Sequence, residues 1–419
     1  MFGRVARAIV GMVVPTVAVI LVSPAFAEPT ADWKCNAITE VPLDERIVAC
    51  TAVIDSGRLG RQSLIRAYFN RAAAYNKKTE FDRAVADYSA LIELSPGNIF
   101  VYNFRAYSYF QLGELDRAIA DYDRAIELNP RSRYAYLSRG VAYYRKDDYD
   151  NAIADYTQAL QLGHQDPLIS ADRKAQNKGQ DGDLIPPPVD GQATGLKLAD
   201  GYTFYVRGAA YFGKGELERA IADYDQAIRL NPTDKRALAY RAVAYKINGK
   251  LDGAIRDYDR IVQLDPRDAR AYRARAMVYW QGGSFSQSLN DLDQAIWLDP
   301  KDPYSALWHE IVAKRSGQPS QLAEAVAQLD MTKWPAPIVN LFLGSATSEQ
   351  VLGAANDSDA KKRNARMCET NFYAAELALQ RGAKDDAQRL FDRAAAECPK
   401  TFLERNAANV ELAALHANR

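Results

Sequence analysis

The sequence predicts an all-α protein made of stacked helical hairpins, and three observations lead to this prediction. A short phrase recurs at a regular spacing along most of the chain. Small, aromatic and proline residues hold fixed places between its copies. The composition, with 48% hydrophobic and 25% charged residues, is that of an ordinary folded protein.

The recurring phrase is Ala-Ile-Ala-Asp-Tyr or a close variant of it. Its six copies stand at residues 84–88, 118–122, 152–156, 220–224, 254–258 and 288–292. Neighbouring copies are 34 residues apart, except across one gap of 68 residues. Alignment on this step defines six repeats, which begin at Ile65, Ile99, Arg133, Gly201, Lys235 and Ala269.

Each repeat reads as two antiparallel helices. Positions four, eight and eleven share one face of the first helix, because residues three and four apart are neighbours on a helix. Position eight is Ala or Gly, which lets the second helix approach closely, and position eleven is Tyr in all six repeats. Proline at position 32, present in five of the six repeats, ends the second helix. Glycines that we expect to end first helices are Gly113, Gly215, Gly249 and Gly283.

This pattern of spacing and residue types resembles the tetratricopeptide repeat, whose period is 34 residues. The resemblance implies a helical-hairpin solenoid, wound as a right-handed superhelix, with helical caps at its ends. It also implies a function in binding proteins or peptides.

The N-terminus predicts export from the cytoplasm. Arg4 and Arg7 precede an apolar stretch at residues 8–22, and Ala-Phe-Ala at 25–27 is typical of a signal-peptidase site. We therefore interpret residues 1–27 as a signal peptide; the alternative is an uncleaved anchor, for which the stretch is short. Without a cysteine at the cleavage site, the chain is not a lipoprotein by sequence. The expected location is the periplasm, as a soluble protein without a membrane span.

Four cysteines form two local pairs, Cys35 with Cys50 and Cys368 with Cys398. Disulfides are expected in an exported protein. Neither pair has the spacing of metal ligands, and the three histidines are scattered, so we expect no metal site and no cofactor.

The predicted organisation places the repeats between two other regions. Residues 28–64 form an N-terminal helical cap, residues 65–166 contain repeats one to three, and residues 167–200 are an insertion. Residues 201–302 contain repeats four to six, and residues 303–419 form an irregular helical region with a further repeat-like hairpin at 368–399. The insertion contains a run of three prolines at 186–188. It is either a tolerated surface loop, a decayed repeat or a partner-binding loop.

The C-terminal region resembles a second family. Trp334, the run Ile-Val-Asn-Leu-Phe-Leu-Gly at 338–344 and Cys-Glu-Thr-Asn-Phe-Tyr at 368–373 are similar to the NlpI-type outer-membrane lipoproteins. That resemblance implies a periplasmic scaffold that links a carboxy-terminal processing protease to peptidoglycan hydrolases, and a homodimer in some members. The chain departs from the family because it has no lipobox cysteine, and because it carries the 167–200 insertion and more full repeats.

A protein-binding groove is predicted from first-helix positions two, five, nine and twelve, which line the concave face of such arrays. Aromatic and arginine side chains dominate binding hot spots. The predicted groove residues are Phe69, Phe100, Tyr107, Phe110, Tyr134, Tyr144, Tyr202, Tyr205, Phe212, Arg270, Arg273 and Trp280. Some of them could instead fill the packing between repeats.

Arginine at position seven recurs with aspartate at position 23 in every repeat, for example Arg275 with Asp291. The two rows are either structural ion pairs, or the arginines form a ladder that binds anions.

Three classes of function fit the sequence: an adaptor, a subunit of an envelope complex and an enzyme with an unrecognised site. A formal net charge of zero argues against a nucleic-acid partner. No phosphate loop, nucleophile elbow or metal-spaced histidine pair suggests an enzyme. We expect a non-catalytic scaffold, either an adaptor between a periplasmic protease and cell-wall hydrolases or a subunit of an envelope assembly or secretion complex. An enzyme with an unrecognised site is the third class.

Overall fold

The computed structural model describes residues 31–36, 41–163, 196–399 and 402–417. The predicted signal peptide and residues 167–195 of the predicted insertion lie outside this part. Twenty-one α-helices, one short 3-10 helix and no strand occur in the described residues, which confirms the all-α prediction. The chain divides into two compact units, Met1–Pro96 and Gly97–Arg419.

The first unit contains a disulfide-bonded helix pair and one repeat hairpin. Its helices are α1 (Ala31–Asn36), α2 (Leu43–Asp55), α3 (Arg61–Lys77) and α4 (Phe81–Leu94). The Cys35–Cys50 disulfide joins α1 to α2. Both cysteines are buried with Ala49, Val53 and Ala67, so this bond lies in the small core that connects the helix pair to α3.

The second unit contains five repeat hairpins in succession. They are α5 (Ile99–Leu112) with α6 (Leu115–Leu128), α7 (Arg133–Arg145) with α8 (Tyr149–Leu162), α9 (Leu196–Lys214) with α10 (Leu217–Leu230), α11 (Lys235–Ile247) with α12 (Leu251–Leu264), and α13 (Ala269–Gln281) with α14 (Phe285–Leu298). Helix α9 begins inside the range predicted as an insertion, so the last residues of that range are helical.

Close contact inside each hairpin depends on the small residue at position eight. Ala106 and Ala242 are fully buried there. At Gly208, an added Cβ would lie 2.8 Å from the ring of Tyr224 on the second helix of the same hairpin. Tyr224 itself is fully buried. The small residue at position eight and the large ring at position 24 therefore pack directly against each other, as the sequence pattern predicts.

Left-handed backbone ends the first helices. Gly113 and Gly283 have φ of 80° and 72°. The first and third repeats lack glycine at this place, and Thr79 and Asp147 adopt φ of 60° and 59° instead. The turn thus imposes the left-handed conformation even on residues for which it is unfavourable.

Seven helices follow the last complete repeat. They are α15 (Pro303–Arg315), α16 (Leu322–Ala325), α17 (Ala336–Phe342), α18 (Ser348–Ala355), α19 (Ala360–Gln380), α20 (Lys384–Glu397) and α21 (Leu403–Ala417). The 3-10 helix, Val326–Gln328, follows α16 directly. The Cys368–Cys398 disulfide joins α19 to the end of α20.

Helix α15 continues the repeat register as a seventh first helix. Asp302 caps it, as Asp268 caps α13 thirty-four residues earlier. Gly317 has φ of 68°, thirty-four residues after Gly283. The short helix α16 and the 3-10 helix stand where the second helix of this hairpin is expected, so the hairpin lacks a full second helix.

The arginine and aspartate rows are structural ion pairs. Arg275 donates from Nε and Nη2 to the two carboxylate oxygens of Asp291, both at 2.7 Å, and from Nη1 to Asp259 of the preceding hairpin at 2.6 Å. Each of the six repeats contains the same two-point contact. Since the guanidinium groups are engaged by carboxylates, the arginines do not form an open anion ladder.

Candidate protein-binding site

The predicted groove residues occupy different environments in the structure. Phe69 belongs to the first unit and is buried, with its ring 6.1 Å from that of Tyr88. The remaining eleven belong to the second unit. They lie on α5, α7, α9 and α13.

Helix α5 presents Phe100, Tyr107 and Phe110 on one face, and all three are half-buried. The Arg145 guanidinium lies 5.2 Å from the centre of the Phe110 ring. Tyr134 on α7 is close to Tyr107, and burial, with a smaller contribution from Tyr107, raises the pKa of Tyr134 to about 12. We call these residues, together with Asn103, the α5 face.

Asn103 shares this face, since it lies three residues after Phe100 and four before Tyr107. Its side chain is 1% exposed, and neither its amide nitrogen nor its amide oxygen has a hydrogen-bond partner within the described structure. A buried amide without partners costs about 1–3 kcal/mol. The sequence prediction missed Asn103 because it selected only aromatic and charged residues at the groove positions.

A group of rings gathers around α9, and we call it the tyrosine cluster. Its members are Tyr144, Tyr202, Tyr205, Phe212, Tyr224 and Tyr240. The Tyr240 ring is 5.5 Å from Tyr205, 6.3 Å from Phe212 and 6.0 Å from Tyr224, centre to centre. Four predicted groove residues from α7 and α9 are thus brought together.

Charge and polarity distinguish this cluster from an ordinary core. The Arg236 guanidinium lies 5.9 Å from the Tyr202 ring and 5.4 Å from the Tyr205 ring. Tyr240 is 38% exposed, whereas the Tyr224 hydroxyl is buried without a hydrogen-bond partner in the described residues. Burial raises the pKa values of both Tyr205 and Tyr224. The cluster therefore combines the exposed Tyr240 ring with a guanidinium stacked on two tyrosine rings.

Tyr240 and Tyr224 were not among the predicted site residues. Tyr240 holds position six of its repeat, one place from the predicted groove position. Tyr224 holds position 24, which the sequence pattern interprets as packing. The available signal was the local density of aromatic residues in the fourth and fifth repeats.

The predicted groove does not extend openly into the sixth repeat. Trp280 is only 5% exposed, with its ring 5.1 Å from Trp308 and the Arg315 guanidinium 5.4 Å from its ring centre. Arg273 pairs with Asp302. The assignment of Trp280 to an open groove is therefore corrected, because the C-terminal helices pack over it.

Arg270 is the exposed member of the predicted set.

No group of three or more His, Cys, Asp or Glu side chains in the described part of the chain is arranged to hold a metal ion. Among its helices, none combines the length and the apolar character needed to cross a membrane.

Family models match much of the repeat region. The model described as TPR repeat matches residues 106–147. Models described as Tetratricopeptide repeat match residues 65–98, 134–166, 201–234, 223–256 and 243–313. No matched range extends beyond residue 313, so the resemblance to NlpI-type lipoproteins has no support from these models.

Solved structures of other repeat proteins are similar to this chain. A tetratricopeptide repeat protein from Parabacteroides merdae is 17% identical, with a TM-score of 0.46, covering 77% of this chain and 98% of that one. YrrB, described as a TPR protein with an unusual peptide-binding site, is 22% identical, with a TM-score of 0.39 and coverage of 52% and 95%. PilF of Pseudomonas aeruginosa is 15% identical, with a TM-score of 0.43 and coverage of 60% and 97%. No curated protein matches the chain significantly.

Proposed function

Since this chain is a tetratricopeptide repeat protein, we propose that it is a non-catalytic scaffold that binds a segment of another protein through the tyrosine cluster and the α5 face. The observation that carries this proposal is the gathering of six aromatic rings with Arg236 stacked on two of them. Aromatic and arginine side chains are the residues most enriched in binding hot spots.

The unpaired polar atoms favour an extended client segment. Asn103 offers one amide donor group and one acceptor, which match the C=O and N–H of a peptide backbone. A helical client has already satisfied most of its backbone groups internally, whereas an extended one has not. Because Asn103 is 1% exposed, an extended segment would pair with its amide only if binding uncovers that side chain.

The finer role that we propose is that of a periplasmic adaptor. The signal-peptide pattern supports export, and the two disulfides are consistent with an oxidising compartment. The resemblance of residues 334–404 to NlpI-type scaffolds suggests a carboxy-terminal processing protease and peptidoglycan hydrolases as the two partners. An adaptor that holds both at once speeds degradation by raising their effective concentration.

The binding site is tested with paired alanine substitutions. Tyr205→Ala with Tyr240→Ala should weaken capture of a partner isolated from an envelope extract, because truncating hot-spot aromatics costs about 2 kcal/mol or more. This corresponds to roughly thirtyfold in Kd. Trp297→Ala is the control, since Trp297 is 76% exposed on a second helix. Equal affinity of the double variant and the control would exclude the tyrosine cluster as the site.

The adaptor role is tested by reconstitution. The purified protein, the processing protease from the same periplasm and one hydrolase are mixed, and the half-life of the hydrolase is measured with and without the scaffold. We expect a shorter half-life with the scaffold and no proteolysis by the scaffold alone. Unchanged half-lives, together with recovery of an envelope assembly complex, would favour the alternative role as a subunit of that complex.

A further inference from the structure

A cleft lies among α17, α18 and α19, in the region that follows the repeats. Its volume is about 620 Å³, which is within the range of sites that hold small ligands. Its walls are the segment 331–334, one face of α17, the end of α18 and Arg366 of α19. Of the nine described residues that line it, two are basic and none is acidic. We call it the basic cleft.

Lys333 and Arg366 supply the charge of the basic cleft. Lys333 forms an ion pair of 2.8 Å with Asp330, and both side chains are exposed, so this pair contributes little and can exchange for another anion. Arg366 forms an ion pair of 3.0 Å with Asp357 through Nη1. A guanidinium has five N–H donors, so one carboxylate does not saturate Arg366. Both cations can therefore receive a further carboxylate.

Trp334 supplies the apolar wall, together with Met331 and Ala354. The indole N–H of Trp334 donates a hydrogen bond of 2.7 Å to Glu369. The Arg366 guanidinium lies 5.4 Å from the centre of the Trp334 ring. The ring and the cation are thus held side by side before any ligand arrives, which favours a ligand with a negative group next to an apolar one.

Positive charge continues from the cleft onto the start of α19. Lys361, Lys362 and Arg363 occupy its first turn, which contains no acidic residue, and both lysines are exposed. Cations near a helix N-terminus are unfavourable, because the helix dipole is positive there. The sequence places these charges against the preference of the helix, and local conflicts of this kind are expected at functional sites.

We propose that the basic cleft binds an extended acidic segment of a client protein. A carboxylate of the segment pairs with Arg366 and Lys333, and an apolar side chain two residues away, on the same side of an extended chain, packs on Trp334 and Met331. Asn340 lines the same cleft and offers an amide donor and acceptor that match a peptide backbone. The site is separate from the tyrosine cluster and does not depend on it.

A peptide fits this cleft better than an anionic membrane does. Trp334 is half-buried within the concave wall and does not project from the surface. A membrane anchor instead presents its apolar side chains outward, on the face that enters the lipid.

The test measures peptide binding to the full chain by fluorescence anisotropy at pH 7.5. The probe is a fluorescein-labelled peptide with blocked ends, Gly-Ser-Glu-Ser-Leu-Ser-Glu-Gly. We expect Lys333→Gln with Arg366→Gln to weaken its binding at least about tenfold, because both charge-assisted contacts are lost. High salt should weaken binding to the wild type, since it screens exposed charges. The same peptide with Gln in place of Glu should bind the wild type no better than it binds the double variant.

The matched control is Lys384→Gln with Arg389→Gln on α20. It makes the same change in net charge at exposed residues and also removes an exposed ion pair, that of Arg389 with Asp386. This control should bind the acidic peptide as the wild type does. Equal affinity of the wild type and the Lys333→Gln, Arg366→Gln variant would overturn the proposal.

Two further ligands test the other sources of negative charge. The Gln peptide with a free C-terminal carboxylate should bind more weakly than the acidic peptide, and equal binding would assign the cleft to a chain terminus instead. Vesicles with anionic lipid should not compete with the acidic peptide. Competition that disappears in the Lys333→Gln, Arg366→Gln variant would assign the surface to a membrane and overturn the proposal.

Cross-linking of the wild type decides the outcome if the double variant does not fold. A carbodiimide joins a carboxylate to an amine that lies beside it, and mass spectrometry identifies the modified lysine. We expect the acidic peptide to be linked to Lys333 in preference to Lys384, which is equally exposed on α20. Equal yields at the two lysines would contradict the proposal. The Lys333 adduct should persist with Tyr205→Ala and Tyr240→Ala, which separates this result from that of the tyrosine cluster.

Discussion

Replacing Gly208 with alanine should destabilise the fourth repeat and disturb the tyrosine cluster. The added Cβ would lie 2.8 Å and 3.0 Å from two atoms of the Tyr224 ring and 3.2 Å from the Ala220 carbonyl oxygen. The ring is fully buried and the carbonyl belongs to the backbone of the partner helix, so neither can move away freely. Overpacking of this kind costs about 1–3 kcal/mol.

Helix propensity acts in the opposite direction. Alanine is more favourable than glycine inside a helix by up to about 1 kcal/mol. The expected net loss in the free energy of unfolding is therefore about 1–2 kcal/mol. Urea unfolding followed by circular dichroism measures this loss as a lower midpoint.

Gly353→Ala is the matched control for this prediction. Gly353 lies within α18, and a Cβ added there would meet no atom within 4 Å other than its chain neighbours and the backbone of its own helix. Gly353→Ala should raise the midpoint of urea unfolding, because alanine improves helix propensity there without a steric clash. If Gly208→Ala proves as stable as the wild type or more so, the close packing of Gly208 against Tyr224 is not as described.

Three further predictions concern stability. Thr79→Gly should stabilise the first unit by about 0.5–1 kcal/mol in thermal unfolding, because Thr79 holds a φ of 60° that glycine adopts without strain; no gain would mean that other contacts of Thr79 compensate. Arg275→Met should cost about 3 kcal/mol in urea unfolding, since it leaves Asp291 buried and unpaired; a loss below about 1 kcal/mol would indicate an ordinary surface pair. The pKa of Glu404, raised from 4.5 to about 7 by burial, means that the folded protein binds more protons than the unfolded one between these pH values. Protection of α21 against hydrogen exchange, corrected for intrinsic rates, should therefore fall as the pH rises from 5 to 7. Protection that increases over this range would contradict the predicted pH dependence.

The hairpins could be predicted from the sequence because their determinants are local. Ala or Gly at position eight and the large residue at position 24 meet within one repeat, as Gly208 and Tyr224 do. The disulfide pairs follow the same logic, since Cys368 and Cys398 stand at the open end of one hairpin. Such contacts recur with the period, so a single sequence shows them several times.

The site could be predicted only in part because its environment is set by distant segments. Trp280 follows the groove pattern, yet Trp308 and Arg315 of the next helix bury it. Lys246 likewise holds a groove position but is buried, and it interacts electrostatically with Glu404, more than one hundred and fifty residues further along the chain. Contacts between residues so far apart in the sequence do not recur with the 34-residue period, so the repeat pattern does not show them. Asn103 was missed for a different reason. Its side-chain amide is notable because it has no hydrogen-bond partner in the described residues, and only the structure shows this.

Site-specific photocrosslinking at position 240 tests the central claim, that this chain binds proteins through the tyrosine cluster, most directly. A benzophenone amino acid replaces Tyr240 in the full chain, and the cells are irradiated before the envelope is extracted. The account predicts a discrete adduct with another protein that disappears when Tyr205→Ala and Arg236→Ala are added. It also predicts no such adduct from the same probe at position 297. Equal adducts at both positions, or none at position 240, would contradict it.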